Sequence, residues 1–293
     1  MSGDNPYAAL SEDHGGTEPG WAFGTGFVAA PLDADAPVPP GVDADDLSRY
    51  CCMLADDALV MSQRLIQWCT SAPELEEEVA LANIALDLLG QARPLLARAG
   101  RVDGSGRDED ALAFFRDAPE FRNVRLVEAP NGDFARSTAR LFVFSTWRLA
   151  LFDRLRSSAD PVLAAVAAKG VNELAYHREY AAGWVIRLGD GTPLSRERMA
   201  AGLAEVWPDL GELFAVHPVE ARLVDGAVAA DPAGLRVEVL GVVEQVVREA
   251  TLRSPGPVPP AVVAGRDGQH SGELASLLAE MQAVARAHPG ASW

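Results

Sequence analysis

Lysine is almost missing from this chain: Lys169 is the only one, and arginine supplies the rest of 25 basic side chains set against 42 acidic ones. The formal net charge of −17 repels phosphate backbones and anionic lipid, which argues against nucleic acid or a membrane as partner. The acid excess has two readings, solubility, which is favoured, and complementarity to a basic partner surface. Cysteine is scarce as well. Cys51 and Cys52 are adjacent and Cys69 lies on the same predicted helix, a pattern with neither disulfide-framework nor zinc spacing, so they read as core thiols of a reducing compartment. No run approaches the roughly 20 apolar residues needed to cross a bilayer. The start, Met1-Ser-Gly-Asp-Asn-Pro6, lacks the basic and apolar regions of a secretory signal, so a cytoplasmic location is expected. Missing too are a phosphate-binding glycine loop of Walker type, a G-x-S-x-G elbow and a cysteine with a placed catalytic base, which removes the commonest nucleotide and nucleophile chemistries.

What is present is apolar: 48% of 293 residues, enough for one large core. Residues 1–42, rich in Gly, Pro, Ala and Asp, read as a disordered or flexible leader, because Pro31-Leu-Asp-Ala-Asp-Ala-Pro-Val-Pro-Pro-Gly41 cannot form a helix interior. Residues 43–293 read as one helical domain with hardly a strand-like alternation.

Asp43 caps a first helix whose stripe runs Leu47, Cys51, Leu54, Ala58, Met61, Leu65 and Trp68. Pro73 sits in the first turn of a second, with Leu75, Val79, Ala82, Leu86 and Leu89 as its inward stripe, fading past Pro94. The two make an antiparallel hairpin. After a polar stretch and a short helix at residues 111–116, a helix from Asp133 to Arg156 is apolar almost all round and belongs at the bundle centre.

Asp160-Pro161 opens the next, with Leu163, Val166, Gly170, Leu174, His177, Ala181, Trp184 and Leu188 facing inward until Gly189-Asp-Gly191. Ser195 caps a fifth with a kink at Pro208, Asp231-Pro232 starts a sixth, and Ser271 a last one ending near Pro289-Gly290. No solenoid period recurs, which favours a bundle.

Two long-helix hairpins form the architecture in which di-iron carboxylate sites are built, from one Glu on each of two helices and a Glu-x-x-His pair on each of the others. The i, i+3 spacing places both ligands of a pair on one face. Behind His14, His177, His217 and His288, three positions back, stand Ser11, Leu174, Phe214 and Ala285, none a ligand. Asp267 precedes His270 at that spacing, but in a glycine-containing loop, and reads as a polar loop or surface contact.

His177, with Glu173 one turn before it, reads as a hydrogen-bonded core histidine. On the second helix, Leu88 and Gln91 stand where a ligand pair would be expected. Asp56 and Asp57 read as solvated acids at a polar helix edge, half of a magnesium cluster at most, and Glu74–Glu78 as acids at the positive end of a helix dipole. The residues therefore assign no catalytic, cofactor-binding or metal-ligating position.

Several segments carry a resemblance. Met61-Ser-Gln-Arg-Leu-Ile-Gln-Trp-Cys-Thr-Ser-Ala-Pro-Glu-Leu-Glu76, Leu81-Ala-Asn-Ile-Ala-Leu-Asp-Leu-Leu-Gly-Gln-Ala-Arg93 and Val127-Glu-Ala-Pro-Asn-Gly-Asp-Phe134 closely resemble the C subunits of multicomponent phenylacetyl-CoA epoxidases. So do Trp147-Arg-Leu-Ala-Leu-Phe152, Glu173-Leu-Ala-Tyr-His-Arg178 and Leu278-Ala-Glu-Met-Gln282 through Pro289-Gly-Ala-Ser-Trp293. The match runs from about residue 50 to the end, in order and spacing.

The resemblance implies an all-α, ferritin-like subunit that pairs with a related catalytic subunit, which holds the di-iron centre and the CoA-ester pocket. It also implies small accessory subunits and a reductase with NADPH, flavin and iron–sulfur, in phenylacetate catabolism. A structural, non-catalytic role is the expectation, with most of Phe142, Phe144, Trp147, Phe152, Tyr176, Tyr180 and Trp184 in the core and a few at the partner interface. Two other readings stand beside it: a divergent di-iron oxygenase using His177, Glu173 and acids such as Asp87, and an unrelated all-α binding protein.

Overall fold

The computed structural model describes residues 33–260 and 264–291. Four long helices, α1 (Ala44–Cys69), α2 (Leu75–Val102), α4 (Phe134–Leu155) and α5 (Pro161–Gly189), form two hairpins, α1 on α2 and α4 on α5, joined along α2 and α5. A short α3 (Glu109–Phe114) precedes α4. No strand occurs among the described residues. This is the ferritin-like helical bundle expected. Around it lie α6 (Pro193–Val206) and α8 (Arg236–Glu249), both against α4 and α5, then α7 (Pro218–Asp225) and α9 (Gly272–Met281) against α1, and finally α10 (Ala283–Ala287).

The caps follow the sequence closely. Asp43 accepts from the Asp46 amide at 3.0 Å, Asp133 from Arg136 at 3.0 Å, and Asp160 from Val162 and Leu163 at 3.1 and 3.0 Å, each filling amides that a helix start leaves open. α4 is buried almost all round, as its composition predicts. Gly170 is where α4 and α5 close up: a Cβ there would stand 2.7 Å from the Phe152 ring, so a larger residue would have to displace that ring.

Several expectations are corrected. Of the stripe Leu75, Val79, Ala82, Leu86, Leu89, only Ala82 packs against the core and the other four face outward, Leu75 70% and Leu86 59% exposed. The buried side is a second stripe, Leu81, Ala85, Leu88, Ala92, Leu95 and Ala99, with the same four-three spacing. Periodicity cannot choose between two such faces. α2 also starts after Pro73, with Glu74 in the cap position, and runs through Pro94 to Val102. Gly90, whose carbonyl Pro94 leaves without a helical donor, is exposed, so water can satisfy it. Among the described residues α2 alone has the length and composition of a membrane-crossing helix, although it holds no uninterrupted apolar run and lies packed along α1 and α5.

Thr192, not Ser195, caps α6, its Oγ1 accepting from the Ser195 amide at 3.2 Å. At Pro208 the α-helix gives way to a 3-10 stretch, Trp207–Phe214. Trp184 and Leu188 are half-buried, and Val185 takes the inward place. α7 was not expected.

Of the expected leader, residues 1–32 lie outside the described residues. Residues 33–42 run over one end of the bundle, where the buried Arg98 donates to the carbonyls of Ala34 (3.0 Å), Ala36 and Pro37 (3.4 Å). Arg98 is itself held by Asp160 Oδ2 at 2.7 Å, so the acid that caps α5 also fixes the approach to α1.

The largest correction concerns Asp56 and Asp57. Both are fully buried rather than solvated. Asp56 takes a two-pronged bond from Arg116 at 2.5 and 3.0 Å and the Arg122 amide at 2.8 Å. Asp57 takes Arg266 at 2.8 and 3.1 Å and the Val124 amide at 2.8 Å. Burial pushes the Asp57 carboxyl up, and Arg266 beside it opposes that shift. Breaking a buried pair strands a charge, so Arg266→Ala should destabilise the fold by about 3–5 kcal/mol, read as a lower urea midpoint.

Candidate functional site

The place to test for chemistry is the centre of the four long helices, where a di-iron relative would gather its ligands. α2 contributes Leu88 and Gln91, α4 contributes Arg148, and α5 contributes Glu173, Leu174 and His177. Leu88, Leu174, Arg148 and His177 have no exposed surface.

Arg148 dominates the arrangement. Its Nε donates to Gln91 Oε1 at 3.0 Å and one terminal nitrogen donates to the Leu54 carbonyl at 3.1 Å, while the other has no partner. The guanidinium lies over the Phe152 ring, 4.3 Å from its centroid. Gln91 passes the interaction on, its Nε2 donating to Glu173 Oε2 at 3.0 Å, and Lys169 stands 3.4 Å from the other Glu173 oxygen. Burial pulls the Arg148 guanidinium down to about 10, against the attraction of Asp57. A cation thus occupies the bundle interior, and the chain itself supplies it.

The remaining candidates are dispersed. His177 Nε2 pairs with Asp87 Oδ2 at 3.0 Å, tying α5 to α2, whereas its buried Nδ1 has no partner, so only half of the expected satisfied histidine is present. Glu173, one turn away, is turned to Gln91 and Lys169. Among the described residues the one group of three acids or histidines whose ligand atoms lie within 4.8 Å of one another is Glu74, Glu76 and Glu77, at the surface start of α2. Asp87, Glu173 and His177 do not converge in this way. Two leucines, an amide and a buried arginine do not fit a pair of metal ions, which need carboxylates and imidazoles in those places.

His270 and Asp267 do not meet as a loop pair. The His270 side chain is buried, with Nδ1 2.5 Å from Glu128 Oε1 and Nε2 2.9 Å from the Phe121 carbonyl, whereas Asp267 reaches His217 at 3.0 Å. Glu128 also accepts from the Ser271 amide and hydroxyl at 2.7 and 2.6 Å, and Glu212 from the amides of Arg125 (2.8 Å) and Gly265. These acids fasten residues 264–271 to the loop before α4. Burial raises the Glu212 carboxyl.

Residue-by-residue reading missed Arg148, Arg116 and Arg266, because nothing local marks an arginine as buried. The one available signal was Arg148 inside the otherwise apolar Trp147–Phe152 stretch.

All three cysteines are free. Cys51 and Cys69 are buried and Cys52 half-buried, and burial pushes the Cys52 thiol up to about 12, which makes it a poor nucleophile. Of the aromatic set, Phe142, Phe144, Trp147 and Phe152 are core, Tyr180 and Trp184 are half-buried, and Tyr176 is 51% exposed.

Arg148 carries charge without a carboxylate in direct contact, so a well-packed apolar substitute should relieve the fold. Arg148→Met is expected to stabilise the chain by about 1–2 kcal/mol in urea unfolding at neutral pH. A loss above about 2 kcal/mol would show that its bonds to Leu54 and Gln91 outweigh the burial.

The phenylacetic acid catabolic protein family matches residues 34–293. A curated relative, the C subunit of the 1,2-phenylacetyl-CoA epoxidase of Escherichia coli (strain K12), is 44% identical over 249 residues, which cover 85% of this chain and 100% of that protein. With the ferritin-like bundle in place and the sequence match spanning nearly all of it, this chain belongs to the phenylacetic acid catabolic protein family.

Proposed function

We propose that this chain is a non-catalytic, structural subunit of a phenylacetyl-CoA epoxidase, pairing with the related di-iron catalytic subunit in the aerobic breakdown of phenylacetate. The observation that carries the proposal is Arg148, fully buried at the bundle centre and bonded to Gln91, with the buried Leu88 and Leu174 on α2 and α5 where ligands would be expected. A fixed cation repels a metal dication in low dielectric, and Glu173 and His177 are engaged by Gln91, Lys169 and Asp87 rather than gathered as a ligand set. The likeness to the C subunit of such an epoxidase, with the whole of that protein matched, supports the assignment to a complex of this kind.

In this role the chain works by rigidity. Charged ties between distant segments hold its helices, and a stiff neighbour covers the catalytic bundle, keeps bulk water from its metal site and offers a platform for the small accessory subunits. Electrons come from a reductase subunit using NADPH, flavin and iron–sulfur centres, and all these parts work in the cytoplasm. A second reading, an oxygenase with its own metal at His177, rests on the buried Nδ1 that no protein group satisfies.

Co-expression with the catalytic subunit, purification through a tag on one chain and iron analysis of both preparations separates the readings. The expected result is co-elution, with iron present only when the catalytic subunit is. Stoichiometric iron in this chain alone, lost in His177→Ala, would instead make it an oxygenase.

A further inference from the structure

α2 carries two apolar stripes of the same period, and the bundle uses one. The other, Leu75, Val79, Ala82, Leu86 and Leu89, spans 15 residues, about 21 Å of helix. Leu75, Val79, Leu86 and Leu89 are all exposed. Repeats of four and three residues match a neighbouring helix that crosses at a shallow angle, about 20°.

The charges beside the seam say what kind of helix fits. At its start Glu74, Glu76 and Glu77 bring carboxylate oxygens within 4.8 Å of one another, and Glu78 follows. Among the described residues no arginine, lysine or histidine lies within 4.0 Å of any of the four, whereas Asp87 farther along α2 and Glu173 on α5 each have a base at hand. The first turn of a helix accounts for acids there, but crowding several carboxylates without counter-charge is repulsive.

A second copy of this chain does not resolve the conflict. Parallel pairing of two α2 helices would stack acids on acids. An antiparallel pairing centred on Ala82 sets Leu75 against Leu89 and leaves Arg93 as the nearest base on α2, already engaged by Glu109 at 3.1 Å. Two chains of net charge −17 would also repel each other at long range.

We infer that the outward seam of α2 is the docking face for a helix of the partner subunit, one with its own apolar four-three seam flanked by arginine or lysine facing the exposed Glu74, Glu76 and Glu78. The inference rests on the proposed pairing with a catalytic subunit and names where that pairing occurs. Leu86 and Leu89 form the half of the contact away from the acids, and the acids set its direction.

The test is capture of the catalytic subunit by tagged chain from co-expressing cells, with the affinity of the purified pair measured at two salt concentrations. Leu86→Arg places a bulky cation in the seam, and because Leu86 is 59% exposed the variant keeps its fold, checked by its helical circular dichroism and thermal melt. It should lose capture or weaken affinity at least tenfold, whereas Val237→Arg, on the exposed side of α8, should bind as wild type. Glu76→Lys with Glu78→Lys should weaken binding most at low salt. Wild-type capture with unchanged capture by Leu86→Arg would overturn the docking face and leave the pairing intact. Failure of wild type to capture the catalytic subunit would sink the pairing itself. Self-association of the chain alone, abolished by Leu86→Arg, would assign the seam to a second copy and overturn the inference.

Discussion

Two aspartates side by side in the middle of α1, neither in contact with water, set the terms for the rest of the molecule. A carboxylate taken out of water must find charge and hydrogen bonds inside the protein or give up its ionisation. α1 and its hairpin partner offer neither. The chain therefore makes excursions: the segment after α3 brings Arg116 and the amides of Arg122 and Val124, and the segment before α9 brings Arg266. Arg266 then reaches on to the carbonyls of Met53 and Arg122 at 2.8 Å, so the loops become fixed parts of the bundle wall.

Arg148 presents the opposite case, a cation that no carboxylate contacts directly. Bonds to a carbonyl and an amide, with an aromatic face below, satisfy its shape better than its charge. Where a metal-binding bundle would hold ions drawn from solution at its centre, this one holds a cation already attached to it. The same helices that would present ligands instead present Leu88 and Leu174, which pack.

The fold was legible because helix signals are local. Asp43, Asp133 and Asp160 cap where they should, Gly189-Asp-Gly191 stops α5 close to its predicted end, and the all-round apolar α4 lies at the centre. The faces were less legible. On α2 two stripes share one period, and which of them meets α1 depends on residues far away. Buried charge was the least legible of all, since Asp56-Asp57 looks like a solvated pair until Arg116 and Arg266, 60 and 209 positions distant, are brought beside them. The absence of a Glu-x-x-His pair could be read directly, whereas the arginine buried among these helices could not.

The distance between Asp57 and Arg266 along the chain also has a consequence in time. Synthesis runs from the N-terminus, so Asp57 is made 209 residues before its counter-ion. α1 and α2 can form their hairpin early, and α4 and α5 can follow, but the carboxylate at the heart of α1 stays open to water or to a proton until the segment carrying Arg266 has left the ribosome. Folding of this bundle is therefore completed from its far end, and a nascent chain halted before residue 266 would hold a wet, loosely closed α1 whatever the quality of its apolar packing.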